Sequence, residues 1–310
     1  MKVRGITAMY FSGTGKTKMM TMDVAGVLAC RLGVAVRFID FSVPAAREEV
    51  YEFAEDEVLV IGVPVYAGRV PNLLLPFLKN NIRGAASGSA EGACTAGAKS
   101  VLGTPCIPVV TFGNRSYDNA LIELRNIMAT NGFACIGAGA FAAQHSFSQV
   151  LGAGRPDKAD FDMAEKLVLS FADRLEQIDE SAVTVKDEGC EAGYRTLMAG
   201  DIEIPVPVKG DATAGYYQPR DREGNSIDIR KVKPKTSDAC TKCGKCAAIC
   251  PMGAIDHTDF SSVTGICVKC CACERFCPAG AKYFDNPGYI YHKEELEAMY
   301  AGIRAESEIF

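Results

Sequence analysis

Histidine, excess positive charge and long apolar runs are all scarce in this chain, and each shortage closes off a class of function. Three histidines, His145, His257 and His292, in 310 residues are too few for a domain whose metals are held by imidazole and carboxylate. Thirty-three Lys and Arg against 38 Asp and Glu leave a net charge of −5, and a mildly acidic chain does not coat nucleic acid. The longest apolar stretch, residues 133–143, is rich in Gly and Ala and well short of the ~20 residues of a spanning helix. Met1-Lys2-Val3-Arg4 runs into a short apolar stretch that breaks at Ser12-Gly13, without the pattern of a secretory signal. A cytoplasmic protein without a membrane span is the expectation. What is abundant is cysteine: 14 residues, nine of them between Cys240 and Cys277. Where thiols stay reduced, such clustering points to metal rather than disulfides.

Over residues 1–180, β-branched runs alternate with amphipathic stretches. Strands are expected near 3–11, 34–41, 57–65, 106–112 and 133–141. Met20, Val24, Val27 and Leu28 share one face of the first helix. Phe161, Ala164, Val168, Phe171, Leu175 and Ile178 share one face of the last, with Pro156 at its start. This alternation predicts an α/β domain, a doubly wound five-stranded parallel sheet with helices on both faces. From 84 to 103 the chain is Gly, Ala or Ser at 14 of 20 positions, which predicts a disordered or mobile insertion. Residues 181–236 read as a linker, where Tyr216-Tyr217-Gln218 and Ile227-Asp228-Ile229 flank Glu223-Gly224-Asn225 as hairpin strands would. Leu296, Met299, Tyr300 and Ile303 keep helical spacing, so 286–310 is expected to be a docking helix.

A shift of 27 residues overlays Cys240-Thr-Lys-Cys243-Gly-Lys-Cys246-Ala-Ala-Ile-Cys250-Pro251 on Cys267-Val-Lys-Cys270-Cys-Ala-Cys273-Glu-Arg-Phe-Cys277-Pro278. Two-residue gaps let three thiolates of one loop converge on one inorganic core, while the fourth cysteine of each run reaches the neighbouring cluster. Cys240, Cys243, Cys246 and Cys277 are thereby assigned to one [4Fe-4S] cluster, and Cys267, Cys270, Cys273 and Cys250 to the other. Two zinc sites or a redox-inactive structural cluster are the rival readings; the spacing and the terminal Cys-Pro favour iron. Residues 237–285 resemble a bacterial-type two-cluster ferredoxin, a small α+β domain. Cys271 stands outside the repeat and reads as a free thiol, while the cysteines at 30, 94, 106, 135 and 190 lack metal spacing and read as small hydrophobes or free thiols. Arg220, Arg222, Arg230, Lys231, Lys233, Lys235, Lys242 and Lys245 precede or interleave with the first run, as a solvated surface or a dock for an acidic partner.

After the first strand, Ser12-Gly13-Thr14-Gly15-Lys16-Thr17 opens into a helix, a setting in which hydroxyls, amides and the helix N-terminus suit a phosphate. A Walker loop would need Gly where Tyr10 stands, so no ATPase follows. Gly137-Ala-Gly139-Ala-Phe-Ala142 imitates a dinucleotide fingerprint but lacks the strand and acidic residue that should follow. The loop at 12–17 resembles the phosphate loop of flavodoxins, with Lys16 where Asn is more usual. Gly62-Val-Pro64-Val65-Tyr66-Ala-Gly68-Arg69-Val-Pro71 and Thr111-Phe-Gly113-Asn114-Arg115-Ser-Tyr117-Asp118 match the same family at the carboxyl ends of the third and fourth strands. There Tyr66 and Tyr117 would face a flat ring, or else serve ordinary loop packing. Arg69 and Arg115 would steady an anionic reduced flavin or cover the surface. His145 reads as a solvated loop residue.

The whole chain resembles flavodoxin-ferredoxin fusion proteins. That resemblance implies FMN at 12–17, 64–68 and 113–117, two [4Fe-4S] clusters, and electron transfer with a redox partner protein or a small donor or acceptor. The alternatives are an FMN-dependent reductase of a quinone or nitro compound fed by the clusters, and a non-redox scaffold with an empty flavodoxin fold. A flavodiiron oxygen reductase is excluded by the three histidines.

Overall fold

The computed structural model describes residues 2–85, 102–187 and 193–310. The run Val58–Val63 is apolar without alternation, which suits a strand covered on both faces, and all six residues are buried. The same holds for all nine residues of Thr104–Phe112. These two segments form the middle of a sheet built from β1 (Gly5–Tyr10), β2 (Ala35–Asp40), β3 (Glu57–Pro64), β4 (Thr104–Phe112) and β5 (Gly139–Ala142). The strands are parallel in the order 2-1-3-4-5, which is the flavodoxin-like doubly wound arrangement. Helices α1 (Lys16–Leu32) and α4 (Lys158–Gln177) cover one face through Met20, Val24, Leu28, Leu167, Val168 and Phe171. Helices α2 (Leu75–Asn80) and α3 (Ala120–Thr130) cover the other through Phe77, Leu78, Leu121 and Leu124. Asp157 and Asp160 form a capping box on α4, satisfying amides that the helix start leaves orphaned.

Three elements depart from the sequence expectation. The fifth strand is split: Phe133–Cys135 pairs with the start of β4, and β5 pairs with its end. In between, the Ile136 carbonyl accepts from Arg174 Nη1, and Ala138 exchanges backbone bonds with Phe310, so the ladder to β4 is interrupted. The final helix, Pro287–Tyr300, stops well short of 310. Residues Glu308–Ile309 instead run antiparallel along β5 and add an edge to the sheet. The anticipated hairpin around 216–229 reduces to a single bridge between Arg220 and Ser226, because Asp221 takes both the amide and the side-chain amide of Asn225 and turns the chain at once. The antiparallel sheet of the linker lies earlier, in Thr184–Asp187, Thr196–Ala199 and Ile202–Ile204. Of the Gly/Ala/Ser-rich segment, residues 86–101 fall outside the described residues.

The cysteine-rich part is small and loop-dominated. A two-residue ladder joins Lys235–Thr236 to Lys282–Tyr283, and two four-residue helices, Lys245–Ala248 and Ala272–Arg275, each carry the third cysteine of a repeat. The 27-residue repeat is visible in the backbone: left-handed conformations recur at Lys242 and Lys269, Gly244 and Cys271, Gly253 and Gly280. Among the described residues, no helix is long and apolar enough to cross a membrane.

Candidate functional site

Two cavities lie in the cysteine-rich part. One is lined by Cys240, Cys243, Cys246 and Cys277, together with Phe260 and Lys282. The other is lined by Cys250, Cys267, Cys270 and Cys273, with Cys271 and Phe284 also on its wall. Each cavity thus gathers three cysteines from one repeat and the last cysteine of the other. Their empty space, open mouths included, is about 310 and 370 Å³. Among the described residues, no three His, Cys, Asp or Glu side chains gather closely enough for one metal ion.

The repeat also prepares the sulfurs as acceptors. Ala254 N donates to Cys250 Sγ at 3.3 Å and Ala281 N to Cys277 Sγ at 3.2 Å, the same bond one repeat apart. Lys269 N donates to Cys267 Sγ at 3.4 Å. Such N–H···S bonds stabilise thiolate and help set cluster potential. For Cys277, desolvation is the largest single effect and pushes the thiol up, but the surrounding backbone N–H groups led by Ala281 outweigh it, and its pKa falls below the ordinary value. Burial pushes Cys270 and Cys273 up to about 12, and a bound metal core would favour their thiolates.

Cys271 is explained by the same comparison. It occupies the left-handed position that Gly244 fills in the first repeat, a conformation that costs a non-glycine residue ~1–2 kcal/mol. Its buried sulfur sits 3.3 Å from the Tyr289 hydroxyl, and it contacts the Lys269 carbonyl at 3.4 Å.

At the carboxyl ends of the strands the three predicted loops are placed together but are not equally available. Gly15, left-handed at φ 87°, begins α1, and the amides of Gly13, Thr14, Gly15, Lys16 and Thr17 have no hydrogen-bond partner among the described residues. Ser12 donates its amide to Ser42 Oγ, and its hydroxyl accepts from Lys18 N. The Thr17 hydroxyl is turned inward to Thr111 at 2.6 Å. In the second loop, Val65 N bonds the Thr111 carbonyl, Tyr66 and Arg69 close a tight turn through Ala67 and Gly68, and Pro64 ends β3. Desolvation, then the nearby Cys270, Cys271 and Cys267, raise the Tyr66 hydroxyl far above its ordinary pKa, so it stays a neutral phenol.

The third loop is engaged with the protein itself. Asn114, left-handed and buried, donates to the carbonyls of Tyr300 (3.1 Å) and Ile303 (2.7 Å) and accepts from Ala305 N. Arg115 pairs with Asp118 and lies 4.5 Å from the centre of the Tyr217 ring. Tyr117 packs on Phe112 and donates to Glu308. A Cβ on Gly113 would overlap His145, which needs that glycine to seat its ring. His145 is correspondingly not the solvated residue expected from sequence: desolvation foremost, with His292, Arg115 and Arg275, brings its pKa down to about 4. Arg69 is likewise committed, bidentate to Glu123 at 2.8 and 2.9 Å and bonded to the Ala212 carbonyl.

The two sets of residues meet. A Cβ placed on Gly13 would stand 3.0 Å from Cys270 Cβ and 3.5 Å from both Cys270 Sγ and the Tyr66 hydroxyl. Only glycine lets the loop approach a cluster-lining cysteine this closely. Arg47 Nη2 donates to the Pro251 carbonyl at 2.6 Å, and Arg275 reaches the 144–148 loop. Neither arginine was singled out from sequence. Their signal is positional, since each makes its contact more than a hundred residues away.

The comparisons with known proteins divide along the chain. Residues 234–256 match the family of 4Fe-4S binding domains. That match supports a 4Fe-4S cluster in the cysteine-rich end and, at a coarse level, electron-transfer or redox chemistry. No curated protein matches the chain. Solved structures resemble the N-terminal part: a flavodoxin from the domain Archaea (13% identity, TM-score 0.36, 56% of this chain and 99% of that one); the rubredoxin oxygen:oxidoreductase of Desulfovibrio gigas (12%, 0.36, 58% and 38%); and an NADH:FMN oxidoreductase in its apo form (16%, 0.35, 56% and 90%). The flavodoxin-like fold itself is read from the strand order.

Proposed function

We propose that this chain is an electron-transfer protein that holds FMN at the strand ends and two [4Fe-4S] clusters in residues 237–285, a flavodoxin-ferredoxin fusion. The observation that carries the reading is the contact of Gly13 with Cys270: the loop suited to phosphate and a cysteine suited to iron are van der Waals neighbours. FMN, when bound, would accept two electrons together and release them singly, which is the form in which clusters carry them. The chain's own residues do the rest. The unpartnered amides of Gly13–Thr17, with Thr14 and Ser12 beside them and Lys16 at the helix start, would hold the phosphate. Pro64, Val65, Tyr66 and Gly68 would border the ring. Gly113, Asn114, Arg115 and Tyr117 would contribute through the loop they shape, because their side chains are engaged with the protein.

The pairing of cysteines across the two cavities supports ligation of one cluster by Cys240, Cys243, Cys246 and Cys277 and of the other by Cys250, Cys267, Cys270 and Cys273. The second is the inner one, since Cys270 and Cys273 are buried whereas Cys243 is exposed. One chain holding both groups replaces diffusional encounter with a fixed neighbour, a large gain in effective concentration. The domain division 1–180, 181–236, 237–285 and 286–310 is part of this proposal, with the last segment now a helix and a sheet edge.

An anaerobic absorption spectrum with iron, sulfide and flavin analysis tests the reading. About eight iron per chain, as two such motifs require, with flavin bands above a broad iron–sulfur shoulder is the expected result. Zinc without iron would overturn the cluster assignment, and iron without flavin in protein supplied with FMN would overturn the flavin.

A further inference from the structure

The two cysteine runs continue alike except at one buried side chain. Cys250-Pro251-Met252-Gly253-Ala254-Ile255 overlays Cys277-Pro278-Ala279-Gly280-Ala281-Lys282, with Gly253 and Gly280 both left-handed and the same N–H···S bond from Ala254 and Ala281. Ile255 and Lys282 are equally buried, at 2% and 3% exposure. Each lies on the wall of the cavity that holds the last cysteine of its own run, Ile255 with Cys250 and Lys282 with Cys277. A matched backbone therefore sets an aliphatic side chain beside one cavity and an ammonium beside the other. Lysine is almost never fully buried unless it is paired, yet Nζ donates to a neutral group, the Phe260 carbonyl, at 2.5 Å, and no carboxylate pairs with it among the described residues. Burial raises the thiols of Cys246 in that cavity and Cys273 in the other, and the Lys282 charge opposes the rise at both. Lys242 and Lys245 also stand by the first run, but they are exposed, where water and salt screen them, and Lys242 has a counterpart in Lys269. Lys282 is the one buried charged side chain among the described residues of 237–285.

We infer that Lys282 is a tuning residue, which makes the cluster of Cys240, Cys243, Cys246 and Cys277 easier to reduce than an isoleucine at that position would. A cluster held by four thiolates gains negative charge on reduction, and a buried cation beside it stabilises that charge with little screening. Lys282 thereby biases a single electron shared by the two centres toward the one that includes the exposed Cys243, which is reduced as the other is oxidised, with no proton required. The electron then rests on the side that a redox partner can reach. The inference rests on the proposed two-cluster reading, and its test separates the two.

The test is an anaerobic redox titration of the iron-loaded full chain and of Lys282→Ile, which copies the first repeat, followed by electron paramagnetic resonance and by the contact-shifted cysteine β-proton signals that report each cluster separately. The cluster of Cys240, Cys243, Cys246 and Cys277 is expected to become harder to reduce by about tenfold, ~59 mV for one electron. The other cluster should move less than about half as far, because the lysine lies on the first cavity's wall and its field falls with distance, and iron per chain should be unchanged. Lys282→Arg keeps the charge and should stay within about twofold of native. Unchanged potentials in Lys282→Ile, equal shifts at both clusters, or the same fall in Lys282→Arg would each overturn the inference. If Lys282→Ile loses iron, Lys282→Gln carries the comparison, since it removes the charge but keeps a donor for the Phe260 carbonyl, and the same selective fall is required. Native protein that holds zinc, or about four iron where two such motifs require about eight, would overturn the two-cluster reading and the inference with it.

Discussion

In the sheet region, the central strand Thr104–Phe112 is buried along its whole length and helices run to 20 residues, whereas in residues 237–285 the helices have four residues each. There the apolar clusters shrink to such groups as Ala247, Ile255 and Cys273, or Cys271 with the flanking Val232 and Tyr289. A core of that size does not offset the conformational entropy of ordering some fifty residues. The difference teaches that the two parts are held by different forces, burial in one and ligation in the other, as in small domains whose folding is coupled to metal binding.

The comparison breaks most sharply on removal of iron. Chelation, or Cys250→Ser combined with Cys277→Ser, is expected to raise proteolytic cleavage within 237–285 on the order of 100-fold while the sheet keeps its protection, since metal binding there is folding free energy. Equal loss in both parts, or in neither, would show that the contrast is wrong. The reverse experiment is Thr14→Glu, which sets a carboxylate in the loop against a phosphate. Like charges so placed cost several kcal/mol, so FMN should weaken more than about 100-fold with iron per chain unchanged; flavin retained at native affinity would sink the phosphate-loop assignment.

A smaller effect sharpens how the parts are tied. Asn114→Ala removes two donors from the Tyr300 and Ile303 carbonyls and one acceptor from Ala305 N, and it leaves alanine in a left-handed conformation. A loss of ~2–3 kcal/mol in urea unfolding is expected, with faster amide exchange along 300–310. Exchange unchanged in that segment would place the tie elsewhere. The smallest change is Cys271→Gly, which restores the residue that the first repeat carries at this position. Relief of left-handed strain and loss of the contact with Tyr289 oppose one another, so stability should move by no more than ~1 kcal/mol and iron per chain should stay the same. A loss of about four iron would make Cys271 a ligand.

How much was legible follows from where the signals reside. The cysteine repeat is local: each run of 11 residues carries its own spacing, and the two cavities collect the cysteines in the crossed sets that the spacing predicts. The first four strands were legible because short apolar runs alternate with stretches of helical period, even at the exposed edge strand Ala35–Asp40. The fifth was overread, because its residues are apolar throughout but Ile136 and Ala138 take partners from α4 and the C-terminus. The final residues were overread as helix, since Leu296, Met299, Tyr300 and Ile303 keep a helical period that says nothing of what captures the chain beyond it. His145 looked exposed because the glycine that seats its ring, Gly113, lies 32 positions earlier.

The sequence by itself determined the class of sheet, the repeated spacing of the cysteines and the glycine-rich run that opens α1, because each depends on spacing within a few residues or on periodicity along one element. Only the tertiary structure decided that Gly13 rests on Cys270, that Arg275 crosses to the loop at 144–148, and that Asn114 and Tyr117 serve the C-terminal strap. Those pairings join positions more than a hundred residues apart, and no local pattern encodes them. They arise when two separately patterned parts pack and leave particular donors, acceptors and glycine surfaces face to face.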